Sequence, residues 1–341
     1  MKPRVLFIGG SVNQTKQVLA VAAALTEVDA YFTPYYGDGF VEIMRRAGLL
    51  EWTVIGDAWR RHSIDLLRAR GARIDWEGRS GGWDLVVTSS DLIIPRNIRG
   101  TRVVLVQEGM TDPEGFGFRL RRLMPFLPVW MAGTSGTGTS GLYDRFCVAS
   151  EGYRDLFVGK GAPADRIVVT GIPNFDDCAS YRQNDFHYRD YVLVCTSDTR
   201  ETLKRDDRPA FIRRCVEIAA GRQLIFKLHP NERTDRNVRE IERHAPGALI
   251  YTSGSAEEMV ANCSTLIVQF STLAYVGLAL GKEVHAYADL EVLRRLLPLQ
   301  GGRAGARIAE VCREVLQQAV EELLAAREGG RPAMEPVEVS V

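Results

Sequence analysis

The strongest limit on the fold of this chain is an alternation that runs along it twice. Short, continuous apolar runs such as "RVLFIGG", "DAYFTPYY", "WDLVVTSSD", "RVVLVQEGM", "DRFCVAS" and "RIVVTGIP" alternate with segments of helical apolar spacing, such as "NQTKQVLAVAAALTEV", "FVEIMRRAGLL" and "EGYRDLFVGKGA". A strand that is apolar without interruption is buried on both faces. Together with intervening helices, that predicts a parallel sheet covered on both sides. The pattern restarts at "YRDYVLVCTSD" and continues through "QLIFKLHP", "ALIYTSG", "STLIVQF" and "EVHAYA", with helical segments between them. A length of 341 residues also exceeds one ordinary core. The expectation is therefore an α/β protein with two doubly wound, Rossmann-like domains facing an interdomain cleft. The N-terminal domain is placed at 1–180 and the C-terminal domain at 188–304, with the polar "CASYRQNDFHYRD" between them. A long amphipathic helix over 305–328 is expected to pack across both domains, and 329–341 reads as a loose tail.

Charge and cysteines narrow the class. The formal net charge is zero, so no global field recruits nucleic acid. Six cysteines show no CxxC or CxxH spacing and read as reduced, buried thiols of a cytoplasmic protein. No apolar run approaches the roughly 20 residues of a membrane span, and "MKPRVLFIGG" does not read as a signal peptide. The segment "RRLMPFLPVWM" mixes arginines with large apolar groups. It reads either as a peripheral contact with the inner membrane or as a helix packed inside its own domain. A homodimer is left open.

In open α/β sheets ligands bind beyond the carboxyl ends of the strands, so the strand tips carry the functional reading. In the first half the tips are Gly9-Gly10-Ser11, Ser89-Ser90-Asp91 and Gln107-Glu108-Gly109. In the second half they are Thr196-Ser197-Asp198, His229-Pro230, Thr252-Ser253-Gly254 and Ser271-Thr272. Hydroxyls, glycines and helix starts repeated along one edge suit phosphate and sugar. In "KLHPNE" the strand delivers His229, and Pro230 ends the ladder because it has no N–H. The imidazole is then either a phosphate donor or a surface group ahead of a cap. Ser271 and Thr272 are expected in the first turn of an apolar helix, where they offer an anion hole or a plain cap. Glu108 is the candidate general base, or else a loop salt bridge. Asp198 is a carboxylate facing the cleft, or the N-cap of "TRETL". "GTSGTGTSG" (133–141) is either a loop that closes on a sugar or a linker, and Asp206-Asp207 is read as solvated. No metal-binding motif stands at a strand tip. "GGSVNQTK" lacks the third glycine of a dinucleotide fingerprint, so no cofactor is expected beyond the substrate itself.

With these residues in place the chain resembles the GT-B superfamily of nucleotide-sugar enzymes, through "VVTGIPNFD", "KLHP" and "STLAYVGLALGK". Within it, "QEG", "HP" and "ST" look like the [DE][DE]G, HP and Ser/Thr motifs of bacterial capsule and lipopolysaccharide transferases that use CMP-sialic acid or CMP-Kdo. Gln107 departs from the first acidic position. The resemblance implies a metal-independent glycosyltransferase that moves a sugar from a CMP- or UDP-linked donor to a glycan or lipid-linked acceptor. Glu108 would be the base and His229 with Pro230 would hold the phosphate. Ser271, Thr272, Ser253 and Gly254 would complete the nucleotide site, and Asp198 would stand where some Kdo transferases carry a nucleophile. Gly10, Ser11, Lys16, Asp91, Gln107 and Gly109 would face the sugar or acceptor. The alternative resemblance is to UDP-GlcNAc 2-epimerases. "GGSVNQTK" aligns with their "GTRPEAIK", Lys16 with the family lysine, Asp91 with the acid of "VxGD" and Glu108 with that of "HVEAGLR". "SDTRET" and "QFSTLAY" depart from that family's "HRREN" and "SGGIQEE". CDP-glycerol-type phosphotransferases and a non-catalytic nucleotide-sugar-binding protein follow behind.

Overall fold

The computed structural model describes residues 2–50, 53, 55–124, 126–201 and 206–329. The chain divides into two compact units. The first runs to Asp176 and resumes at Gly301; the second is Asp177–Gln300.

The first unit is built on β1 (Arg4–Gly9), β2 (Asp29–Pro34), β3 (Leu85–Thr88), β4 (Arg102–Val106), β5 (Arg145–Val148) and β6 (Ile167–Val169). They form one sheet in the order β2-β1-β3-β4-β5-β6, and every pairing is parallel. Its helices are α1 (Val12–Ala24), α2 (Gly39–Arg46), α3 (Asp57–Ala69), α4 (Phe116–Leu123) and α5 (Glu151–Gly159). The continuous apolar runs behave as predicted: Leu85, Val86 and Val87 of β3 and Val103 to Val106 of β4 are all fully enclosed. Phe7 stacks on Phe32 with ring centroids 5.2 Å apart, and Phe146 tilts against Phe157 at 4.7 Å. Helix α3 is one element that the sequence reading passed over, because its arginines and aspartates mask the apolar spacing of "DAWRRHSIDLLRA".

The second unit carries β7 (Val192–Cys195), β8 (Leu224–Lys227), β9 (Leu249–Tyr251), β10 (Thr265–Val268) and β11 (Glu283–His285). Its helices are α6 (Arg208–Ala219), α7 (Thr234–His244), α8 (Ala256–Asn262), α9 (Leu273–Ala279) and α10 (Leu290–Arg295). The sheet order is β11-β10-β7-β8-β9, again all parallel. Val192, Val194, Phe226 and Ile267 from the strands meet Phe211, Ile212 and Ile241 from α6 and α7 in one core. All six cysteines are free and buried. None of the described helices is long and apolar enough to cross a membrane.

The closing helix differs from the expectation. It is two helices, α11 (Ala304–Gln317) and α12 (Val320–Gly329), with a break at 318–319. Both are counted in the first unit. Helix α11 lies on α1 and on β3, β4 and β5, burying Ile308, Val311, Cys312 and Val315. Arg327 of α12 forks onto the enclosed Asp144 and donates to the carbonyls of Arg99 and Thr101. The tail placed at 329–341 lies, from residue 330 onward, outside the described residues. Asp176 clasps the returning chain. Its carbonyl accepts from the N–H groups of Gly301 and Gly302, and its carboxylate accepts from Ala304 N at 2.7 Å.

Candidate functional site

Each sheet reverses its strand order once. The first does so between β1 and β3, the second between β7 and β10. Such a switch point leaves a crevice at the carboxyl edge, because the connections on its two sides go to opposite faces. The tips that meet there are Gly10-Ser11 with Ser89-Asp91 in the first unit, and Thr196-Asp198 with Gln269-Thr272 in the second.

In the first unit the sequence itself builds the local geometry. Ser11 caps α1: its hydroxyl accepts from Gln14 N at 3.1 Å, and Gln14 Oε1 accepts from Ser11 N at 3.2 Å. This is a reciprocal capping box. The same two side chains then grip Glu108 beyond the tip of β4. Ser11 Oγ donates to Oε1 at 2.7 Å, and Gln14 Nε2 donates to Oε2 at 2.6 Å. Burial pushes the Glu108 carboxyl above its ordinary pKa, against the opposing pull of the Ser11 and Gln14 bonds. A carboxyl held in this way can take or return a proton. Gly10 makes the grip possible, because a Cβ there would fall 2.1 Å from Gln14 Oε1. Gly10→Ala should therefore expel the Gln14 side chain, remove one donor from Glu108 and cost about 0.5–2 kcal/mol of cap stability. A denaturant titration checks the second part of that prediction.

The neighbours of Glu108 are committed elsewhere. Gln107 is buried and acts as a brace: its Oε1 accepts from Ala149 N at 2.9 Å, and its Nε2 donates to Gly109 O at 2.8 Å. Asp91 is buried, and burial raises its pKa. Its two oxygens accept from Gly138 N at 2.9 Å and Ser140 N at 3.1 Å, so it anchors the glycine- and hydroxyl-rich loop expected to be a lid or linker. Lys16 is exposed on α1. Ser89 Oγ, at the switch point, is buried with no hydrogen-bond partner among the described residues.

In the second unit His229 follows β8 as expected, with a half-exposed ring. Its Nδ1 accepts from Asn231 N at 3.2 Å, which leaves the proton on Nε2. Asp198 stands 3.8 Å from the same Nδ1 and accepts from Asn231 Nδ2 at 3.0 Å. Thr199–Glu201 form a turn, and the rest of the "TRETL" alternative lies outside the described residues. Helix α9 begins at Leu273, so Ser271 and Thr272 precede its first turn instead of lying in it. Ser271 Oγ accepts from Leu273 N at 3.2 Å, and Thr272 makes no side-chain cap bond. Ser253 and Gly254 lie in the exposed loop after β9, where Gly254 takes a φ of +91° that favours glycine. The cap of α8 is the next residue, Ser255.

The group that sequence reading missed lies beneath His229. Glu232 is fully enclosed, and its Oε2 accepts from His229 N at 2.9 Å and from Thr196 Oγ1. Its Oε1 lies 3.0 Å from Nη2 of Arg208, whose side chain is also enclosed. Arg208 in turn donates to Ser197 O at 2.8 Å and to Asp206 at 2.8 Å. Asp206 also accepts from Gln269 Nε2 at 2.9 Å. Asp206 is thus buried in an ion pair, not solvated, and the reason is the arginine two residues on. The tips of β7, β8 and β10 are tied together through this one guanidinium. The spacing of His229 and Glu232 in "HPNE", one turn apart with Glu232 N donating to His229 O, was the available signal.

Among the described residues no single helix spans the segment "RRLMPFLPVWM". α4 ends at Leu123, and Leu123, Met124 and Phe126 are exposed. Among the described residues there is no cluster of three or more His, Cys, Asp or Glu placed to hold a metal ion.

No protein-family model and no curated protein matches the chain. Solved structures do. The UDP-N-acetylglucosamine 2-epimerase of Rickettsia bellii superposes with a TM-score of 0.55 at 10% identity, covering 95% of this chain and 98% of that one. The Neisseria meningitidis UDP-GlcNAc 2-epimerase, bound to UDP-GlcNAc, gives 0.51 at 12%, covering 91% and 100%. The Methanocaldococcus jannaschii enzyme in complex with UDP-GlcNAc and UDP gives 0.51 at 12%, covering 96% and 97%. At these identities the likeness is one of fold. It corrects the expectation of a glycosyltransferase of surface polysaccharide synthesis, since these structures sharing the fold over nearly the whole chain are 2-epimerases. The transferase motifs also dissolve physically. Gln107 is a structural brace and not half of an acidic pair, and Ser271 Oγ accepts from Leu273 N within its own turn while keeping its donor proton.

Proposed function

We propose that this chain is a nucleotide-sugar epimerase that inverts the configuration at C2 of the sugar. The observation that carries the reading is Glu108, a carboxyl with a raised pKa held by Ser11 and Gln14 at the edge of the first sheet. The likeness of fold to epimerases bound to UDP-GlcNAc supports it. C2 of such a sugar has no adjacent carbonyl to acidify its proton. The proton can still leave if the C2–H electron pair forms a C1=C2 double bond and expels the nucleotide diphosphate from C1. Readdition of the diphosphate and return of a proton to the opposite face complete the inversion. Glu108 exchanges the proton on one face, and the proton on the opposite face is exchanged with solvent water. The departing diphosphate develops charge that needs hydrogen-bond donors. No metal or cofactor is assigned a role.

The test is incubation with UDP-GlcNAc in deuterium oxide without any acceptor. Deuterium should enter at C2, and the C2 epimer should appear in the same sample. A proton that never exchanges, at a protein concentration where UDP binds, would exclude the reading.

A further inference from the structure

A cavity of about 730 Å³ lies wholly within the first unit, beneath α4. Its walls come from Asp38 and Val41 at the start of α2, from the loop after β3, from Glu114 and α4, from residues 127–142 and from the end of α5. Ser11, Gln14 and Glu108 do not line it; Asp91 does, with both carboxylate oxygens accepting from the N–H groups of Gly138 and Ser140.

One part of the lining is apolar, with Ile94, Phe118, Leu127 and Trp130. The other part is charged, with Arg99, Arg121, Arg122 and Lys160 set against the carboxylates of Asp38, Asp91 and Glu114. Arg121 donates from both terminal nitrogens to Thr139, while its Nε is buried without a partner among the described residues. Lys160 lies 5.8 Å over the Phe118 ring, and its one hydrogen bond is long, 3.4 Å to Ser135 O. Burial lowers the pKa of both groups. Arg122 adds a third charge at the exposed margin. No ion pair among the described residues involves any of the three.

Asp91 acts on Arg121, and Glu114 and Asp112 act on Lys160, only through space and not in a direct ion pair, so the desolvation cost of the two cations is only partly offset. An anion seated between them would offset that cost, and the apolar wall beside them needs an apolar body to cover it. A volume of this size suits a small organic molecule. We propose that this cavity is a second ligand site, separate from the epimerase chemistry, for an amphiphilic organic anion with a phosphate or carboxylate head and an apolar body. The head lies between Arg121 and Lys160, and the body lies along Phe118, Leu127 and Trp130.

Calorimetric titration of the full chain with octyl phosphate, octanol and inorganic phosphate tests this. Octyl phosphate should bind saturably at one equivalent, and the other two should bind at least about tenfold more weakly, since each lacks one of the two contacts. Lys160→Met should weaken octyl phosphate by about tenfold or more, the loss expected for a charged contact. Leu127→Trp fills the apolar part without touching a charge and should weaken it as well. Arg121→Gln should do the same if its loss of the Thr139 bonds leaves the fold intact; if it does not, the other two variants carry the test. Failure of octyl phosphate to bind at millimolar concentration would overturn the proposal. So would equal binding by inorganic phosphate, unchanged binding in folded Lys160→Met and Leu127→Trp, or displacement by UDP. None of these outcomes depends on whether UDP-GlcNAc exchanges its C2 proton.

Discussion

Glu108→Gln should lower C2 deuterium exchange by about two to four orders of magnitude, the usual weight of a positioned acid or base. The protein should remain folded, because glutamine keeps the shape and can still accept from Gln14 Nε2 on its carbonyl and donate its amide to Ser11 Oγ. The same substitution makes a second, oppositely signed prediction. The Glu108 pKa is raised in the folded chain above its ordinary 4.5. The wild type is then most favoured below that ordinary value, with Glu108 protonated, and loses that contribution as pH rises through the raised folded pKa. The variant has no such loss. Its melting temperature should match wild type in acid and exceed it at neutral pH. A variant both inactive and more stable at neutral pH would mark Glu108 as a group whose strain serves the reaction. Full exchange activity would remove it from the mechanism.

Arg208→Ala should be the most damaging single change to stability, at about 3–5 kcal/mol. Removing the guanidinium leaves Glu232 as a buried carboxylate without its counter-charge and Asp206 with only Arg200, 3.7 Å away. It also frees Ser197 O, and with Glu232 loosened the backbone of His229 loses its anchor. Denaturant midpoints measured at unchanged slope give the stability change. UDP affinity should fall with it, since the tips of β7, β8 and β10 are held by the same cluster. A loss below about 1 kcal/mol, as for an exposed pair, would mean that packing alone positions those tips.

The fold was legible because parallel strands buried on both faces write themselves as continuous apolar runs. "LVV" in β3 and "VVLV" in β4 leave little alternative. Helix α3 was not legible, because its buried face is narrow and its charges dominate the segment. Glu108 could be picked out as a carboxylate at a strand tip. Its partners Ser11 and Gln14 are more than ninety positions away, and only the S-x-x-Q spacing of the capping box hinted that they act together. Ser271 shows a different limit of sequence reading. A hydroxyl ahead of an apolar helix looks the same in sequence whether it caps its own turn or waits for a ligand. Asp206 was misjudged because a charged run reads as solvated until an enclosed arginine is known to sit beside it.

The return of the chain at Gly301, clasped by Asp176, sets an order of events during synthesis. The six strands of the first sheet have all emerged before the second unit begins. The apolar face that α11 covers, over α1 and β3 to β5, stays open until the whole of Asp177–Gln300 has been made. The second unit, which is one uninterrupted stretch, can fold on the ribosome from contacts close in sequence. The first must hold together with an uncovered patch and is the half more exposed to aggregation in the interval. A chain truncated before Ala304 should therefore leave the second unit folded and the first dependent on a chaperone, and the last helices are the step that releases it.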